Sequence, residues 1–332
     1  FIRGNIDKDA VFTKTKKLDS SFEFNGLRFR VNISLSGDVP VFTLRLIKNE
    51  LPTFDELGVP DIVRRMMYQP QGLVLVTGKT NSGKTTTLNA LINEINETQN
   101  KKILTLESPV EFKHKCKQSV IVQKEVGYGQ DVLTYKDGVK NCLREDCDIL
   151  VIGEIRDRET AEIAMQAGQT GHYVLSTIHT IDSIEVITRL RKIGVSDYDI
   201  ASTLATSLSQ RLVRKVCPKC AVKREYTEEE KNIINGIAKK YGVEYDFTGK
   251  YTYDTVGCQY CNDSGFYGRI GIFEILDMSE AIKELVIKGE SSLEIRKRAM
   301  EEGYKPLVID GFNKILDGYT TLKELNSKLV IY

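Results

Sequence analysis

The sequence has no apolar run that approaches the length of about 20 residues needed for a helix to cross a bilayer. Its first residues, FIRGNIDKDA, lack the apolar segment of a signal peptide. We therefore expect a soluble, cytoplasmic protein whose membrane contact is peripheral and made through a partner. The chain begins with Phe1 rather than Met, and we expect a further N-terminal region to precede it.

An excess of charge of either sign is also missing, since 47 Lys and Arg residues face 46 Asp and Glu residues, for a net charge of +1. Nucleic-acid binding depends on basic side chains that neutralise phosphates. We therefore expect no direct nucleic-acid partner, although a balanced total does not exclude a local basic patch. Repeats and low-complexity segments are absent as well. The 332 residues, 41% of them hydrophobic, predict a globular protein with one large and one small domain.

A glycine-bounded loop between an apolar strand and a helix is the most informative motif that is present. Residues 73–88 read LVLVTGKTNSGKTTTL and contain the pattern G-x-x-x-x-G-K-[ST]. In this geometry backbone N–H groups and a helix N-terminus point at phosphate oxygens. Lys84 then reaches the β- and γ-phosphates, and the Thr85 hydroxyl ligates Mg²⁺. The motif predicts a nucleoside triphosphate held by Gly78, Lys79, Thr80, Asn81, Ser82, Gly83, Lys84, Thr85 and Thr86.

A small β-rich domain is predicted for residues 1–50, because side chains from residue 20 to 47 alternate between apolar and polar. Residues 51–60 begin and end near prolines and are predicted to be a linker. Arg28, Arg30 and Arg45 lie on the polar faces of the predicted strands. They are either solvated charges or groups that close over the nucleotide phosphates, since a guanidinium can bind two phosphate oxygens at once.

From residue 61 onward, apolar strands alternate with amphipathic helices, which predicts an α/β domain with a parallel sheet covered on both faces. The predicted strands are 103–106, 120–123, 149–152 and one within 170–180, and the predicted helices lie near 134–144, 182–192 and 197–210. This domain, residues 61–332, includes a cysteine-rich segment at 211–268 and a helical C-terminal region at 279–332.

Acidic side chains follow two of these strands, at the edge where an α/β sheet places its site. Glu154 follows the strand 149–152, where a carboxylate can polarise water or hold the magnesium shell, and the alternative is an acid that starts the next helix. Glu107 and Glu111 are equally suited to activate water. His179, at the end of another strand, is a candidate to sense the γ-phosphate.

Four of the seven cysteines form two C-x-x-C pairs, the spacing of a tetrahedral thiolate zinc site. A closed set of four thiolates predicts a structural ion. The long gap between the pairs is explained by an inserted helix, which the capping pattern of Thr227 and Glu230 predicts. A dithiol redox role is the alternative, and the other three cysteines are expected to be small buried side chains. The predicted ligands are Cys217, Cys220, Cys258 and Cys261.

Six segments together resemble, in order and spacing, the hexameric secretion ATPases that drive type IV pilus assembly, pilus retraction and type II secretion. They are LVLVTGKTNSGKTTTLNALI, ILTLESPVEF, LREDCDILVIGEIRDRETAEIAMQAGQTGHYVLSTIHT, SLSQRLVRKVCPKC, CQYCNDSGFYGRIGIFEIL and GYKPLVIDGFNKILDGYTTLKEL. The resemblance covers nearly the whole chain. It implies a RecA-like P-loop ATPase domain with ATP, Mg²⁺ and Zn²⁺, a homo-hexamer, and an inner-membrane platform protein as partner at the inner face of the cytoplasmic membrane.

The resemblance also implies roles for single residues. Ser108 stands where the family's acidic box usually has an aspartate, so Glu107 is the better candidate for the catalytic carboxylate. Lys79 replaces a usual proline at a position that contributes backbone. The family's Walker A loop corresponds to residues 78–85, its Walker B glutamate to Glu154, its acidic box to Glu107 and Glu111, its His box to His172 and His179, and its nucleotide-reaching arginines to Arg30 and Arg45.

The two halves of the chain resemble different members of the family. The segment FNGLRFRVNISL resembles retraction ATPases, whereas the C-x-x-C pairs and GRIGIFEIL resemble pilus-extension and type II secretion ATPases. Because a whole zinc subdomain is harder to gain by drift than the composition of a strand, we expect an extension or secretion motor. The alternatives are a retraction ATPase of the same family and a nucleotide-gated scaffold with little turnover.

Overall fold

The computed structural model of the chain describes residues 12–47, 50–127 and 130–329, so residues 1–11 and 48–49 of the predicted β-rich domain lie outside the described residues. A three-stranded antiparallel sheet comes first, with β1 (Lys17–Phe24), β2 (Leu27–Ser36) and β3 (Val39–Ile47) in that spatial order. Asn25 and Gly26 join β1 to β2 with φ of 49° and 73°, both positive, as a two-residue hairpin turn requires.

One face of this N-terminal sheet carries apolar side chains, including those of its edge strand β3. Val31 and Ile33 of β2 are buried on this face, which agrees with the predicted alternation. Phe42, Leu44 and Leu46 of β3 lie opposite the apolar residues of β2, yet they are 56%, 55% and 53% exposed. The predicted alternation of side chains is therefore correct, but the apolar side chains on this face of β3 are exposed, whereas Val31 and Ile33 of β2 are buried.

A seven-stranded sheet organises the rest of the chain. Its spatial order is β12-β9-β4-β8-β7-β5-β6, parallel from β9 to β6, with β12 antiparallel at one edge. Every residue of β4, β7 and β8 is buried, as expected for parallel strands with both faces covered. The predicted α/β class is confirmed. The strands are β4 (Gly72–Thr77), β5 (Lys102–Glu107), β6 (Val120–Glu125), β7 (Ile149–Ile152), β8 (Tyr173–Ile178), β9 (Leu204–Val216) and β12 (Phe266–Asp277).

Helices cover both faces of this sheet. The helix Lys84–Thr98 packs on one face through Leu88, Leu91, Ile92 and Ile95, which recur at helical spacing. The opposite face is covered by the helices Tyr135–Cys142, Arg158–Gln169, Glu185–Lys192 and Asp197–Thr203. The other described helices are Phe54–Leu57, Ile62–Met66, Glu228–Ala238, Glu280–Ile287, Ser292–Glu301, Leu307–Leu316 and Leu322–Leu329. Among the described helices, none is long and apolar enough to cross a bilayer.

One predicted helix is wrong in its second half. The sequence predicts a helix near 197–210, but the helix ends at Thr203 and β9 begins at Leu204. The backbone of β9 pairs with β4 on one side and with β12 on the other, and residues 206–210 are all buried. Pairing within a buried sheet thus outweighs the local helical pattern.

β9 and β12 continue past β4 as an antiparallel pair, which carries the cysteine-rich segment at its far end. We call residues 211–268 the cysteine hairpin. It contains a two-stranded sheet of β10 (Ala221–Arg224) and β11 (Thr252–Thr255), and the helix Glu228–Ala238. The predicted capping box is confirmed, since Thr227 and Glu230 each cap the other's backbone. C-terminal helices pack against this hairpin in a shared apolar cluster that includes Val213, Ile234 and Phe312.

Candidate functional site

Four parallel strands of the main sheet end side by side at one edge, and each is followed by a predicted site residue. The phosphate loop follows β4, Glu107 ends β5, Glu154 follows β7, and His179 follows β8. Because the carboxyl ends of parallel strands meet at one edge, these residues come together despite their separation in sequence. His172 precedes β8, so it lies at the opposite edge, about 20 Å away along a six-residue strand.

Glycine geometry shapes the phosphate loop. Gly78 has a φ of +145°, and a Cβ there would lie 2.4 Å from the carbonyl oxygen of Gln210, so only glycine fits. Gly83, with a φ of 90°, is the N-cap of the helix Lys84–Thr98, and no side chain caps this helix. The Ser82 hydroxyl is buried without a hydrogen-bond partner among the described residues. These uncompensated donors fit the oxygens of a phosphate.

The other loop residues differ in exposure. Lys79, Thr80 and Asn81 are exposed. Thr85 and Thr86 are half-buried at the start of the helix, next to Lys84. Thr85 is the residue of this set that would hold Mg²⁺, since its hydroxyl is an oxygen ligand at the helix N-terminus.

Lys84, His179 and Glu154 form a line across the site. The Nζ atom of Lys84 donates to the carbonyl oxygens of Gly78 and Lys79, at 3.0 and 3.3 Å. It also lies 3.5 Å from Nδ1 of His179. On the other side of the ring, Nε2 of His179 lies 3.7 Å from Oε2 of Glu154. The imidazole therefore stands between the amine of the phosphate loop and the carboxylate that follows β7.

Burial shifts the pKa values of Lys84 and His179. It lowers the pKa of Lys84, an effect that Glu154 opposes and Arg211 reinforces. Burial also lowers the pKa of His179, and the neighbouring Lys84 ammonium lowers it further. The ring of His179 is therefore neutral at pH 7, and one of its nitrogens can accept a hydrogen bond. Glu154 is also paired with Arg156, a partner that the sequence analysis did not identify.

Glu107 lies deeper than the other candidate carboxylates and is 6% exposed. Its Oε1 atom accepts hydrogen bonds from Oγ1 of Thr105, at 2.8 Å, and from Nε2 of Gln123, at 3.2 Å. Burial raises the pKa of Glu107, and these two hydrogen bonds oppose the shift. A carboxylate with a raised pKa is a better proton acceptor near neutral pH, as a water-activating base needs.

Tyr135 faces both carboxylates and was not predicted. Burial raises the pKa of Tyr135 to about 12, with further contributions from Glu154 and Glu107. Its hydroxyl lies 3.2 Å from the point where a Cβ on Gly153 would stand. No spacing in the sequence indicates this residue, because it comes from the helix between β6 and β7 and only the fold brings it to the strand ends.

The arginines of the N-terminal sheet have different surroundings. Arg28 is 8% exposed and donates to the carbonyl oxygens of Val110 and Glu111, at 2.9 and 3.0 Å, so its interpretation as a solvated charge is wrong. Nη1 of Arg30 lies 3.7 Å from Oε1 of Glu111. Arg45 lies directly opposite Arg30 in the sheet and is exposed. Burial raises the pKa of Glu111, and both arginines counter this shift, so they face the acidic loop.

The four cysteines of the two pairs form a separate cluster in the cysteine hairpin, with all four Sγ atoms within 4.8 Å of one another. Three Sγ pairs have separations of 3.9, 3.8 and 3.8 Å. A tetrahedron with Zn–S bonds of about 2.3 Å has edges of about 3.8 Å, so the cluster fits a zinc ion. Of the remaining cysteines, Cys142 and Cys147 are buried as expected, whereas Cys116 is exposed.

Comparison with known proteins gives several relatives. A family model described as Type II/IV secretion system protein matches residues 22–327. The type IV pilus assembly ATPase PilB of Myxococcus xanthus is 40% identical over 258 residues, 77% of this chain and 44% of that protein. The type II secretion system protein E of Aeromonas hydrophila is 38% identical over 265 residues, 80% of this chain and 50% of that protein. The chain spans about half the length of these curated relatives.

Solved structures give the same picture of the fold. The pilus retraction motor PilT with bound ADP matches with a TM-score of 0.72 and 28% identity, over 95% of this chain and 78% of that one. The ATPase DotB of Legionella pneumophila matches with a TM-score of 0.69 and 24% identity, over 99% of this chain and 81% of that one. Because the family model covers most of the sequence, the chain belongs to the type II/IV secretion system protein family.

Proposed function

We propose that this chain is the ATP-hydrolysing part of a hexameric motor that powers type IV pilus assembly or type II secretion. The observation that carries the proposal is the line of Lys84, His179 and Glu154 beside the phosphate loop, with Glu107 buried on a neighbouring strand. One carboxylate is enough to hold the magnesium shell of a bound nucleotide, whereas a second, buried carboxylate beside a polyanion fits the base for water that hydrolysis needs. The ATPase names of the relatives and the ADP named for PilT support this reading.

Each residue has a role in this proposal. The loop residues 78–86 hold the triphosphate through backbone N–H groups, and the Lys84 ammonium offsets charge that develops on the γ-phosphate. The Glu107 carboxylate accepts the proton of the attacking water, and Glu154 orients that water. His179, between Lys84 and Glu154, is placed to respond to the presence of the γ-phosphate.

Two metal ions belong to the proposal. Mg²⁺ bound beside Thr85 would neutralise charge on the β- and γ-phosphates. Zn²⁺ held by the four cysteines would contribute stability to the cysteine hairpin, since four thiolate ligands leave no open coordination position for chemistry. Both assignments rest on the fit of the residues described above.

The arginines of the N-terminal sheet would couple that sheet to the nucleotide. Arg30 and Arg45 face the acidic loop of residues 107–111, close to the edge where phosphate binds. A guanidinium that moves from the Glu111 carboxylate to a phosphate oxygen would shift the N-terminal sheet relative to the main sheet. In a ring of six subunits this movement would be passed to an inner-membrane platform protein at the inner face of the cytoplasmic membrane.

Extension or secretion is favoured over retraction by two observations. Both curated relatives described above are named for assembly or secretion, and the cysteine cluster has the geometry of the zinc site that the resemblance associates with these motors. The retraction motor PilT shares the fold, so retraction is the second candidate. A nucleotide-gated scaffold with little turnover is the third.

The test is phosphate release from ATP and Mg²⁺ by the wild-type chain beside Glu154→Gln, with the mass of the particle measured in the same samples. We expect hydrolysis to fall by about 100-fold or more in the variant, since positioned acid–base groups contribute about 10²–10⁴ in rate. The matched control is Glu162→Gln, because Glu162 is an exposed carboxylate on the next helix, where it pairs with Arg158.

Two results would separate a motor from a nucleotide-gated scaffold. Hydrolysis that Glu154→Gln abolishes, in a particle with the mass of six chains, supports the motor. Tight ATP binding with phosphate release at background in a verified hexamer would contradict the proposed motor and favour the scaffold. Equal rates for Glu154→Gln and Glu162→Gln would overturn the role of Glu154.

A further inference from the structure

A chain of hydrogen-bonded polar groups leads away from Glu107. Gln123, in the middle of β6, is the register partner of Thr105 on β5, so the two side chains stand next to each other on one face of the sheet. Both donate to the same oxygen of Glu107. Two side-chain donors therefore hold one oxygen of the carboxylate, and the backbone N–H of Glu111 gives the group a further hydrogen bond.

The orientation of the Gln123 amide is determined by its partners. Its Oε1 atom accepts from the backbone N–H of His114, at 2.8 Å, a group that can only donate. Its Nε2 atom donates to the carbonyl oxygen of Phe112, at 2.8 Å, a group that can only accept. The amide cannot be flipped without breaking both contacts, so Nε2 has to face Glu107.

The same chain continues to the phosphate loop. Nε2 of His114 lies 2.7 Å from Oδ1 of Asn89, whose Nδ2 donates to the carbonyl oxygen of Thr85 at 2.9 Å. Because Oδ1 of Asn89 can only accept, Nε2 of His114 carries the proton. Hydrogen bonds thus link Thr85, at the start of the phosphate-loop helix, through Asn89, His114 and Gln123 to Glu107.

We propose that Gln123 is a positioning residue that holds the Glu107 carboxylate ionised and oriented toward the attacking water, so that its loss weakens hydrolysis without weakening nucleotide binding. The inference rests on the proposed role of Glu107 as the base. Gln123 itself does not touch the nucleotide edge, since its amide is engaged by His114, Phe112 and Glu107.

The groups around Glu107 explain why the hydrogen bond from Gln123 to Glu107 matters. The titratable groups around it come from four elements and are mostly acidic: Glu111 on its own loop, Glu125 on β6, Tyr135 on the following helix and Glu154 after β7. Arg30, on the N-terminal sheet, is engaged with Glu111. Glu107 therefore depends on neutral donors for stabilisation of its negative charge, namely the side chains of Thr105 and Gln123 and the backbone N–H of Glu111.

The test is the pH dependence of ATP hydrolysis by the full chain carrying Gln123→Leu. A hydrogen bond to a carboxylate favours its charged form, so its removal raises the pKa of Glu107 and moves the acidic limb of the rate profile to higher pH. We expect that limb to move to higher pH and kcat on it to fall by about tenfold, the size of effect typical for one hydrogen bond to a charged group, with KM for ATP unchanged. The matched control, Gln118→Leu, changes an exposed glutamine of the same segment and should keep the wild-type profile.

A second pair of variants keeps the test valid if Gln123→Leu is unstable. Thr105→Val removes the other donor to Glu107 at constant volume, and Thr105→Ser retains the hydroxyl. We expect Val to shift the acidic limb in the same direction and Ser to restore it. A purely structural role for these residues would lower the melting temperature but leave the position of the limb unchanged, and that result would overturn the inference.

Glu107→Gln, measured in parallel, separates this inference from the proposed function. If Glu107→Gln abolishes hydrolysis while Gln123→Leu and Thr105→Val keep the wild-type profile, the positioning role fails and the motor proposal stands. If Glu107→Gln hydrolyses ATP at the wild-type rate, Glu107 is not the base, and the inference fails with that assignment.

Discussion

The phosphate loop packs against the middle of β9 and the cysteine hairpin lies at the end of the same strand, but different interactions hold them. The loop is packed against a sheet whose central strands are buried at every position, and Gln210 of β9 donates to the Ser82 carbonyl at 2.8 Å. The far end of the hairpin contains a two-stranded sheet with four residues in each strand. A sheet of this size is not stable alone in water. The loop is thus shaped by the protein fold, whereas we propose that the end of the hairpin is stabilised by a zinc ion that joins its four thiols.

The largest expected effect comes from removing the ion. Cys217→Ser, or treatment of the wild type with a chelator, should unfold the end of the hairpin while nucleotide still binds. Structural zinc is worth about 10–16 kcal/mol in small domains, and the apolar side chains of Val222, Val256 and Tyr260 near the cysteines are exposed and contribute little burial. Zinc content, hydrogen exchange over residues 211–268 and nucleotide binding are the measurements, with the exposed Cys116→Ser as control. Hydrogen exchange over residues 211–268 that stays slow without metal would contradict the proposal that the ion stabilises the end of the hairpin.

Lys84→Ala should have the opposite pattern, with loss of function and an intact fold. The Lys84 ammonium donates to the loop carbonyls, and loss of a single charge-stabilising donor typically costs about 100-fold or more in rate. Zinc content and hydrogen exchange in the hairpin should match the wild type. Lys101→Ala, at the amino end of β5 and paired with Asp148, is the matched control. A rate within about threefold of the control would remove Lys84 from the phosphate site.

The last expected effect is on the pH dependence of the free energy of unfolding, through His114, which is linked to the phosphate-loop helix. Burial lowers the pKa of His114 to about 4, from an ordinary value of 6.5. The folded protein therefore resists protonation of this ring, and the stability this provides is present above pH 6.5 and lost as the pH falls through 4. The difference is about 3 kcal/mol in the free energy of unfolding.

His114→Gln should flatten this dependence, so that the variant loses less stability than the wild type between pH 6.5 and 4. Urea denaturation at a series of pH values measures it, with Lys113→Gln, an exposed neighbour, as control. Parallel curves for His114→Gln and the wild type would show that the ring is not protected from protons in the folded state.

Much of the nucleotide site could be predicted because its signals are local. The glycines of the loop are required by backbone geometry at Gly78 and Gly83, and Glu154 and His179 each follow a short apolar strand. The strand β7 begins and ends where predicted, at Ile149 and Ile152. Local pattern and final structure agree where a parallel strand is buried on both faces.

The parts that could not be predicted depend on contacts between distant segments. Thr105 and Gln123 meet because β5 and β6 pair in one particular register, and Tyr135 reaches the carboxylates from a helix. Arg28 looked like a solvated charge, yet it is buried against the backbone of residues 110–111. The end of the helix at Thr203 was missed because pairing of β9 with two neighbours outweighs the local pattern.

β9 is one unbroken strand from Leu204 beside β4 to Val216, the residue before Cys217. Its middle holds the phosphate loop through Gln210, and the cysteine cluster lies about 23 Å further along, at about 3.3 Å per residue. A paired strand of this kind resists bending, so a rotation of β9 at the main sheet moves its far end. A tilt of about 5° where Gln210 holds Ser82 would displace the cysteine cluster by about 2 Å over this distance.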